Sequence, residues 1–329
     1  MGLALLLTSF AVSGAPHDSS TDRPTVIVVV GAPGESEFGS NFVRQARLWG
    51  ETCQLAQVRT IQIGLEGQAE TADAERLKQT LAAEPTEGHE ALWLVLIGHG
   101  TFDGKEARFN LRGPDVSATD LADWLKPFQR PVVVINTASA SAPFLNKLSA
   151  PNRVILTATR SGHEGNYARF GGCLAEAIAT LQSDLDQDGQ VSLLEAFLTA
   201  SHGVAEFYKT EGRLATEHAL LDDNGDGLGT PADWFRGVHA IKKPQAGASL
   251  DGVRTHQMSL IRSSAELSLP PAIRARRDDL ELAIARLRDT KSQRPEEEYY
   301  RELETLLIQL ARLYDTTNTV CPAEKAPQP

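Results

Sequence analysis

Ala91-Leu-Trp-Leu-Val-Leu-Ile-Gly-His-Gly100 and Pro131-Val-Val-Val-Ile-Asn-Thr-Ala-Ser-Ala-Ser-Ala142 decide the fold. In Ala91 to Ile97 and Pro131 to Ile135 the apolar residues run without alternation, so both faces of each strand are buried, as in a parallel sheet covered by helices. Sites on such sheets lie just past the carboxyl ends of the strands. His99 and Ser139 therefore converge on one crevice, the histidine as a candidate base and the serine as a candidate nucleophile. Gly98 and Gly100 let backbone and ligand approach closely there.

Outward from these two strands the pattern repeats. Thr25-Val-Ile-Val-Val-Val30 is a core strand, and Val58 to Ile63 is shorter and more alternating, hence nearer an edge. Phe38, Phe42, Ala46 and Trp49 share one helical face, and Leu77 and Leu81 mark a helix over Thr71 to Ala83. Ser117 or Thr119 caps a helix that sends Leu121, Trp124 and Leu125 inward. Phe109 to Leu111 with Gly113-Pro114 predicts a short hairpin beside the crevice, and Val154 to Thr157 is a further strand. Alternating strands and helices from Thr25 to Thr159 predict a doubly wound α/β fold, a mostly parallel sheet with helices on both faces. The Gly31-Ala-Pro-Gly34 turn lacks the full phosphate-binding glycine patterns, which argues against a nucleotide site.

The order of hydrophobic strand, His99-Gly100, hydrophobic strand and Ala138-Ser139-Ala140-Ser141-Ala142 resembles the caspase and legumain type of cysteine peptidase over roughly residues 25–180. The resemblance implies a caspase-like sheet, a His99 base, and the nucleophile at the end of the second strand. Serine stands at 139 where the family has cysteine, and Ala142 stands where it has glycine. A second register puts Ala138 at the cysteine position. The resemblance also implies that the loop Arg160 to Tyr167 shapes a substrate pocket, with Glu164, Asn166 and Tyr167 as its candidate residues.

The chain has 329 residues, 41% of them apolar, and a formal net charge of −11, which argues against nucleic acid or an acidic membrane as partner. Gly2 to Val12 is an apolar run too short to span a bilayer, followed by small residues at Ser13-Gly14-Ala15. It reads as a signal peptide over 1–15, implying export to a periplasmic or extracellular space. No later segment is expected to cross a membrane. Cys53, Cys173 and Cys321 have no metal or redox spacing, and Cys53 and Cys173 read as small buried helical residues.

Asp184-Leu-Asp186-Gln-Asp188-Gly189-Gln190-Val-Ser-Leu-Leu-Glu195 fits a twelve-residue EF-hand-type calcium loop. Asp184, Asp186 and Asp188 supply carboxylates, Gln190 its carbonyl and Glu195 a bidentate carboxylate. Asp222, Asn224, Asp226, Leu228 and Asp233 repeat the pattern with a shorter final ligand, and Thr230-Pro231 is expected to start a helix there. The cofactor expected is Ca2+.

Lys242 to Ser249 opens a linker expected over 242–258, matching a polar linker over 16–24 at the other end of the 25–241 domain. Ile273, Leu280, Ile284 and Leu287 form one helical stripe, with Arg274, Arg276, Arg277, Asp278 and Asp279 toward water. Tyr299, Leu303, Leu306, Leu310 and Leu313 form a second stripe. Residues 259–315 thus read as a C-terminal helical hairpin suited to docking or to self-association, followed by a disordered tail over 316–329. Two functions compete: a calcium-binding peptidase homologue that has lost catalysis and binds a peptide or protein ligand, and an active peptidase using a Ser139–His99 dyad.

Overall fold

The computed structural model describes residues 23–66, 70–245 and 248–320. The expected signal peptide, most of the first linker, Cys321 and the residues after Val320 lie outside these.

Continuous runs of β-branched and leucine residues form the central strands. They are β1 (Thr25–Val30), β2 (Arg59–Ile63), β3 (Leu92–Ile97), β7 (Val132–Asn136) and β8 (Arg153–Thr157). All six residues of β1 and of β3 are buried, because helices cover both faces. Three short strands, β4 (Gly100–Phe102), β5 (Ala107–Phe109) and β6 (Val116–Ser117), form a separate antiparallel sheet where the hairpin was expected. The main sheet has the order β10-β9-β8-β7-β3-β1-β2, with β9 (Leu220–Asp222) and β10 (Thr230–Pro231) at one edge. β2, β1, β3, β7 and β8 are parallel, and β9 and β10 are antiparallel additions. The sheet is therefore mixed and mostly parallel, with β2 at the edge where its weaker apolar run placed it.

Each face has its own core. Val26, Val28, Trp93, Val95, Val133 and Ile135 point to one face, under α1 (Ser36–Leu55), α5 (Phe170–Ile178) and α6 (Leu193–Thr210). Ile27, Val29, Leu94, Leu96, Val132 and Val134 point to the other, under α2 (Asp73–Ala83), α3 (Ala118–Leu125) and α4 (Ala142–Leu148). The period-two alternation within each strand divides these residues between two helical layers. Ser117 starts α3 through a complete capping box with Asp120. Cys53 and Cys173 both lie on helices, the first fully buried and the second half-buried.

Three expectations change. Thr230-Pro231 does not start a helix: it is β10, paired with Leu220 and Leu221, and a short 3-10 turn at Ala232–Trp234 follows. The stretch 242–258 is not a plain tether, since it contains the short helix α7 (Val253–His256), with Thr255 buried within it and Asp251 buried just before it. Nor do Arg274 and Arg277 face water. After α8 (Ser264–Ser268), α9 (Pro271–Asp289) turns Arg274 onto the buried Glu90 and Arg277 onto Glu266. A charge on the polar side of a helical wheel is exposed only if nothing packs there, and here the main domain does. The last helix, α10 (Glu296–Val320), packs along α9, with Arg276 Nη2 donating to Gln309 Oε1 at 2.8 Å and Tyr299 buried at its start.

Candidate functional site

Glycine fixes the path of the backbone where β3 ends. A Cβ on Gly98 would meet the Phe109 ring at 3.0 Å, and one on Gly31 would lie 2.4 Å from the Asn110 carbonyl oxygen. Past this crossing, His99 turns toward α1. Its ring packs edge-on against Phe38 at 5.0 Å and Phe42 at 5.1 Å, with Tyr167 at 6.3 Å, and Phe38 in turn stacks on Tyr167 at 4.9 Å. Burial in this aromatic nest pushes the His99 imidazole below its usual range, partly opposed by its hydrogen bond to the Pro33 carbonyl.

The strand beside it ends in a stapled loop. Asn136 Oδ1 accepts from the Ala138 amide at 3.1 Å, and Thr137 donates its amide and its hydroxyl to the Leu96 carbonyl at 3.0 and 2.8 Å. Ser139 is 2% exposed, and its hydroxyl is bonded to Gly100 in both directions: the Gly100 amide donates to Oγ at 3.1 Å and Oγ donates to the Gly100 carbonyl at 3.1 Å. Ala138 is equally buried, but in the core under α3 and α4, away from the helical layer that holds His99. Ala140 adopts φ +51°, an uncommon conformation for a residue with a Cβ, and its amide donates to the Glu164 carbonyl at 2.8 Å. Ser141 Oγ closes the loop by accepting the amides of Ala158 and Thr159 at 3.1 and 3.2 Å.

The fold thus brings His99 and Ser139 to the carboxyl ends of adjacent parallel strands, as the sequence implies, without bonding one to the other. The Ser139 hydroxyl donates to the Gly100 carbonyl, and the imidazole packs against Phe38, Phe42 and Tyr167. Cavities of about 710 and 420 Å3 lie elsewhere, against the C-terminal segment.

The loop expected to shape a substrate pocket is braced from below. Glu164 Oε1 sits 2.6 Å from His218 Nδ1, and Glu164 Oε2 accepts the Arg160 amide at 3.0 Å. Asn166 is exposed, while Tyr167 belongs to the aromatic nest. The Arg169 guanidinium lies over the Phe207 ring at 3.9 Å. Sequence reasoning missed the buried Glu217 nearby. It caps α5 by accepting the amides of Arg169 and Phe170 at 2.7 and 2.9 Å, and Tyr208 donates to its other oxygen at 3.1 Å. Burial raises its pKa despite these bonds. His218 and Glu217 come from a segment about fifty residues beyond their partners, so no local pattern announces them.

The first acidic loop gathers carboxylates. Ligand atoms of Asp184, Asp186 and Asp188 lie within 4.8 Å of one another. Gln187 at φ +62° and Gly189 at φ +88° bend the chain around them. Asp184 accepts the amides of Asp188 and Gly189 at 3.2 and 3.0 Å, and Ser263 donates its amide to the Gln190 side chain at 3.2 Å. Glu195, 1% exposed, accepts at Oε1 from the amides of Leu185 and Asp186 and at Oε2 from the amide and hydroxyl of Ser192, and its own amide donates to Ser192 Oγ, completing the capping box of α6. Burial raises the pKa of Asp188, with further upward pushes from Asp186 and Glu195. Three carboxylates at this spacing, with a buried glutamate beside them, fit a hard cation.

The second loop is a hairpin tip at the sheet edge. Asp222 accepts the amides of Gly225 and Gly227 at 3.0 and 3.1 Å, Asn224 accepts that of Asp226 at 2.9 Å, and Asp226 accepts that of Leu228 at 2.8 Å. Asp233 follows on the 3-10 turn, and among the described residues it joins no group of three acidic or histidine ligands within 4.8 Å. Behind the loop, Asp223 and Asp251 form a buried pair: Asp251 Oδ1 accepts the Asp223 amide at 3.1 Å, and Asp223 Oδ1 accepts the Gly252 amide at 3.0 Å.

No protein-family model and no curated protein match the chain. Solved structures similar to it include the Drosophila initiator caspase Dronc, at 14% identity and a TM-score of 0.43, covering 63% of this chain and 82% of that one. Caspase-1 from Spodoptera frugiperda is similar at 11% identity and a TM-score of 0.38, covering 62% and 87%. Raptor from Chaetomium thermophilum follows at 13% and 0.33, covering 51% of this chain and 19% of its own.

Proposed function

We propose that this chain is an exported, calcium-binding relative of the caspase and legumain peptidases that has lost catalysis and serves as a binding protein for a peptide or protein ligand. The observation that carries the reading is the two-way bond between Ser139 Oγ and the Gly100 backbone, with His99 turned into the nest of Phe38, Phe42 and Tyr167. A serine needs its proton removed as it attacks, which demands a base aimed at Oγ. Neither register supplies one: Ser139 is locked, and position 138 carries a methyl group. The competing reading, a Ser139–His99 peptidase, draws on the histidine that stands just past the end of β3, its pKa lowered by burial.

Calcium belongs to the loop Asp184 to Glu195, with Asp184, Asp186, Asp188, Gln190 and Glu195 as its holders, and a weaker site belongs to Asp222, Asn224, Asp226 and Leu228. Ca2+ in these loops neutralises repelling carboxylates and fixes the C-terminal segment that packs on them. The hairpin of α9 and α10 leaves Tyr300, Leu307 and Ile308 close to half exposed, which supports a role in self-association. No helix among the described residues is long and apolar enough to cross a membrane. The test has two arms. Calcium raises the melting temperature of the metal-free protein, and Glu195→Gln removes most of that rise. Peptide-ester hydrolysis by the wild type equals that of Ser139→Ala; turnover lost in Ser139→Ala sinks the non-catalytic half of the reading.

A further inference from the structure

His256 lies 70 residues beyond the first acidic loop and belongs to no motif. It is the last residue of α7, and its Nε2 sits 2.9 Å from Asp186 Oδ2. Ligand atoms of His256, Asp186 and Glu195 lie within 4.8 Å of one another, and Asp186 is shared with the Asp184–Asp188 group. His256 is held in place from both sides. Upstream, Asp223 Oδ2 accepts the amide and the hydroxyl of Thr255, both at 2.8 Å. Downstream, the Leu193 amide donates to the Met258 carbonyl at 2.7 Å, and Ser192 and Ser259 form an antiparallel bridge. The imidazole is therefore presented to the loop by backbone that the loop itself anchors.

Imidazole nitrogen is a poor ligand for calcium, which takes oxygen, and a good one for borderline first-row cations. The N···O separation of 2.9 Å is that of a hydrogen bond; two ligands each about 2.1 Å from a shared tetrahedral ion lie about 3.4 Å apart, so a bound ion opens the pair by about 0.5 Å. Glu195 enters such a site by giving up the Leu185 and Asp186 amides at Oε1, while Oε2 keeps capping α6.

We propose that His256, Asp186 and Glu195, with Asp184 or Asp188 completing the shell, form a mixed nitrogen and oxygen site that prefers a zinc-class divalent cation to calcium. The inference rests on the proposed function only in that the loop takes a divalent cation. A simple His256–Asp186 ion pair is the rival account of the same geometry.

The full chain, stripped of metal by chelation, is titrated with Zn2+, Co2+ and Ca2+ separately, with Co2+ absorption reporting nitrogen ligation. We expect Zn2+ to bind more tightly than Ca2+ and the Co2+ spectrum to carry an imidazole contribution. His256→Ala and His256→Gln each weaken Zn2+ by at least about 10- to 100-fold, the loss that even a residue merely orienting a ligand causes, and leave Ca2+ within about twofold, while Asp186→Asn weakens both. His256 variants that keep wild-type Zn2+ affinity and Co2+ spectrum overturn the inference and support the ion pair. Calcium binding without zinc binding also overturns it but leaves the calcium reading standing. Zinc binding through His256 without calcium binding does the reverse.

Discussion

The amide of Gly100 donates to Ser139 Oγ and that same oxygen donates back to the Gly100 carbonyl, each at 3.1 Å. A hydroxyl used in this way pins the loop after β7 to the start of β4, and it spends the only proton a nucleophilic serine has to give. Ser139→Ala leaves the Gly100 amide and carbonyl facing each other without the bridging hydroxyl. Thermal or urea unfolding should show a loss of about 1–3 kcal/mol, the cost of leaving a buried polar group unpaired. A variant as stable as the wild type contradicts the structural role given to this hydroxyl.

The same contact forbids any side chain at position 100, where a Cβ would lie 2.3 Å from the Ser139 carbonyl oxygen. Gly100→Ala should destabilise by about 1–3 kcal/mol through overpacking, more than Gly104→Ala, where a Cβ meets open space but φ is +90°. Unfolding curves of the two variants side by side decide this, and equal stabilities count against it.

A thiol at 139 or 138 gains little. Both positions are nearly fully buried, and His99 faces Phe38, Phe42 and Tyr167 instead. A cysteine there lacks the electropositive, accessible surroundings that make a thiolate. Ser139→Cys and Ala138→Cys are therefore expected to react with electrophilic peptide inhibitors no faster than the buried Cys53. Fast modification at one position alone, abolished by His99→Ala, reveals a working register and contradicts the account.

Glu90 is the keystone between the main domain and the C-terminal helices. Its carboxylate, 5% exposed, accepts from Arg262 Nη1 at 2.9 Å and from Arg274 Nη2 at 2.5 Å, with the Arg274 side chain 9% exposed. Removing one member of a buried charge cluster costs about 3–5 kcal/mol, because the others stay buried without compensation. Glu90→Gln should lower the melting temperature and open the chain to protease between about Lys242 and Ser263. An unchanged proteolytic pattern shows that the helices dock without this cluster.

Much of this was open to inspection in the chain itself. Unbroken apolar runs such as Leu92 to Ile97 have one economical fate, a strand covered on both sides, and the Leu77 and Leu81 pair marks a buried helical face directly. His99 and Ser139 follow β3 and β7, and their neighbourhood is legible because strand ends in a parallel sheet share one edge. What the sequence withheld is orientation and distant partnership. Whether Ser139 meets His99 or Gly100 turns on a bend through Ala140 at positive φ, which no pattern at alanine foretells. Arg274 reads as solvated on a helical wheel, since its partner Glu90 is 184 residues away. Strands as short as β9 and β10 lie hidden beneath an acidic turn that imitates a loop followed by a helix.

Asp251 gives the fold a pH signature. Burial, with the charge of Asp223 next to it, pushes its pKa up to about 9, and Thr230 Oγ1 donates to its Oδ2 at 2.5 Å. The folded state therefore holds a proton that the unfolded chain has released above about pH 4. Stability bound to that proton is present at low pH and is lost as pH rises toward about 9. Asp251→Asn keeps the shape without the charge, so it should match the wild type near pH 5 and exceed it near pH 8 in melting temperature. A variant whose stability runs parallel to the wild type across that range shows that Asp251 does not titrate as described.

The central claim, that the serine at the end of β7 is structural, is tested most directly by a fluorophosphonate, which modifies only a serine activated for attack. Full-length protein with calcium is treated, and the modified residue is mapped by mass spectrometry. The account predicts no adduct at Ser139, even at long exposure. Stoichiometric labelling of Ser139 that disappears in His99→Ala contradicts it and makes the protein a serine peptidase.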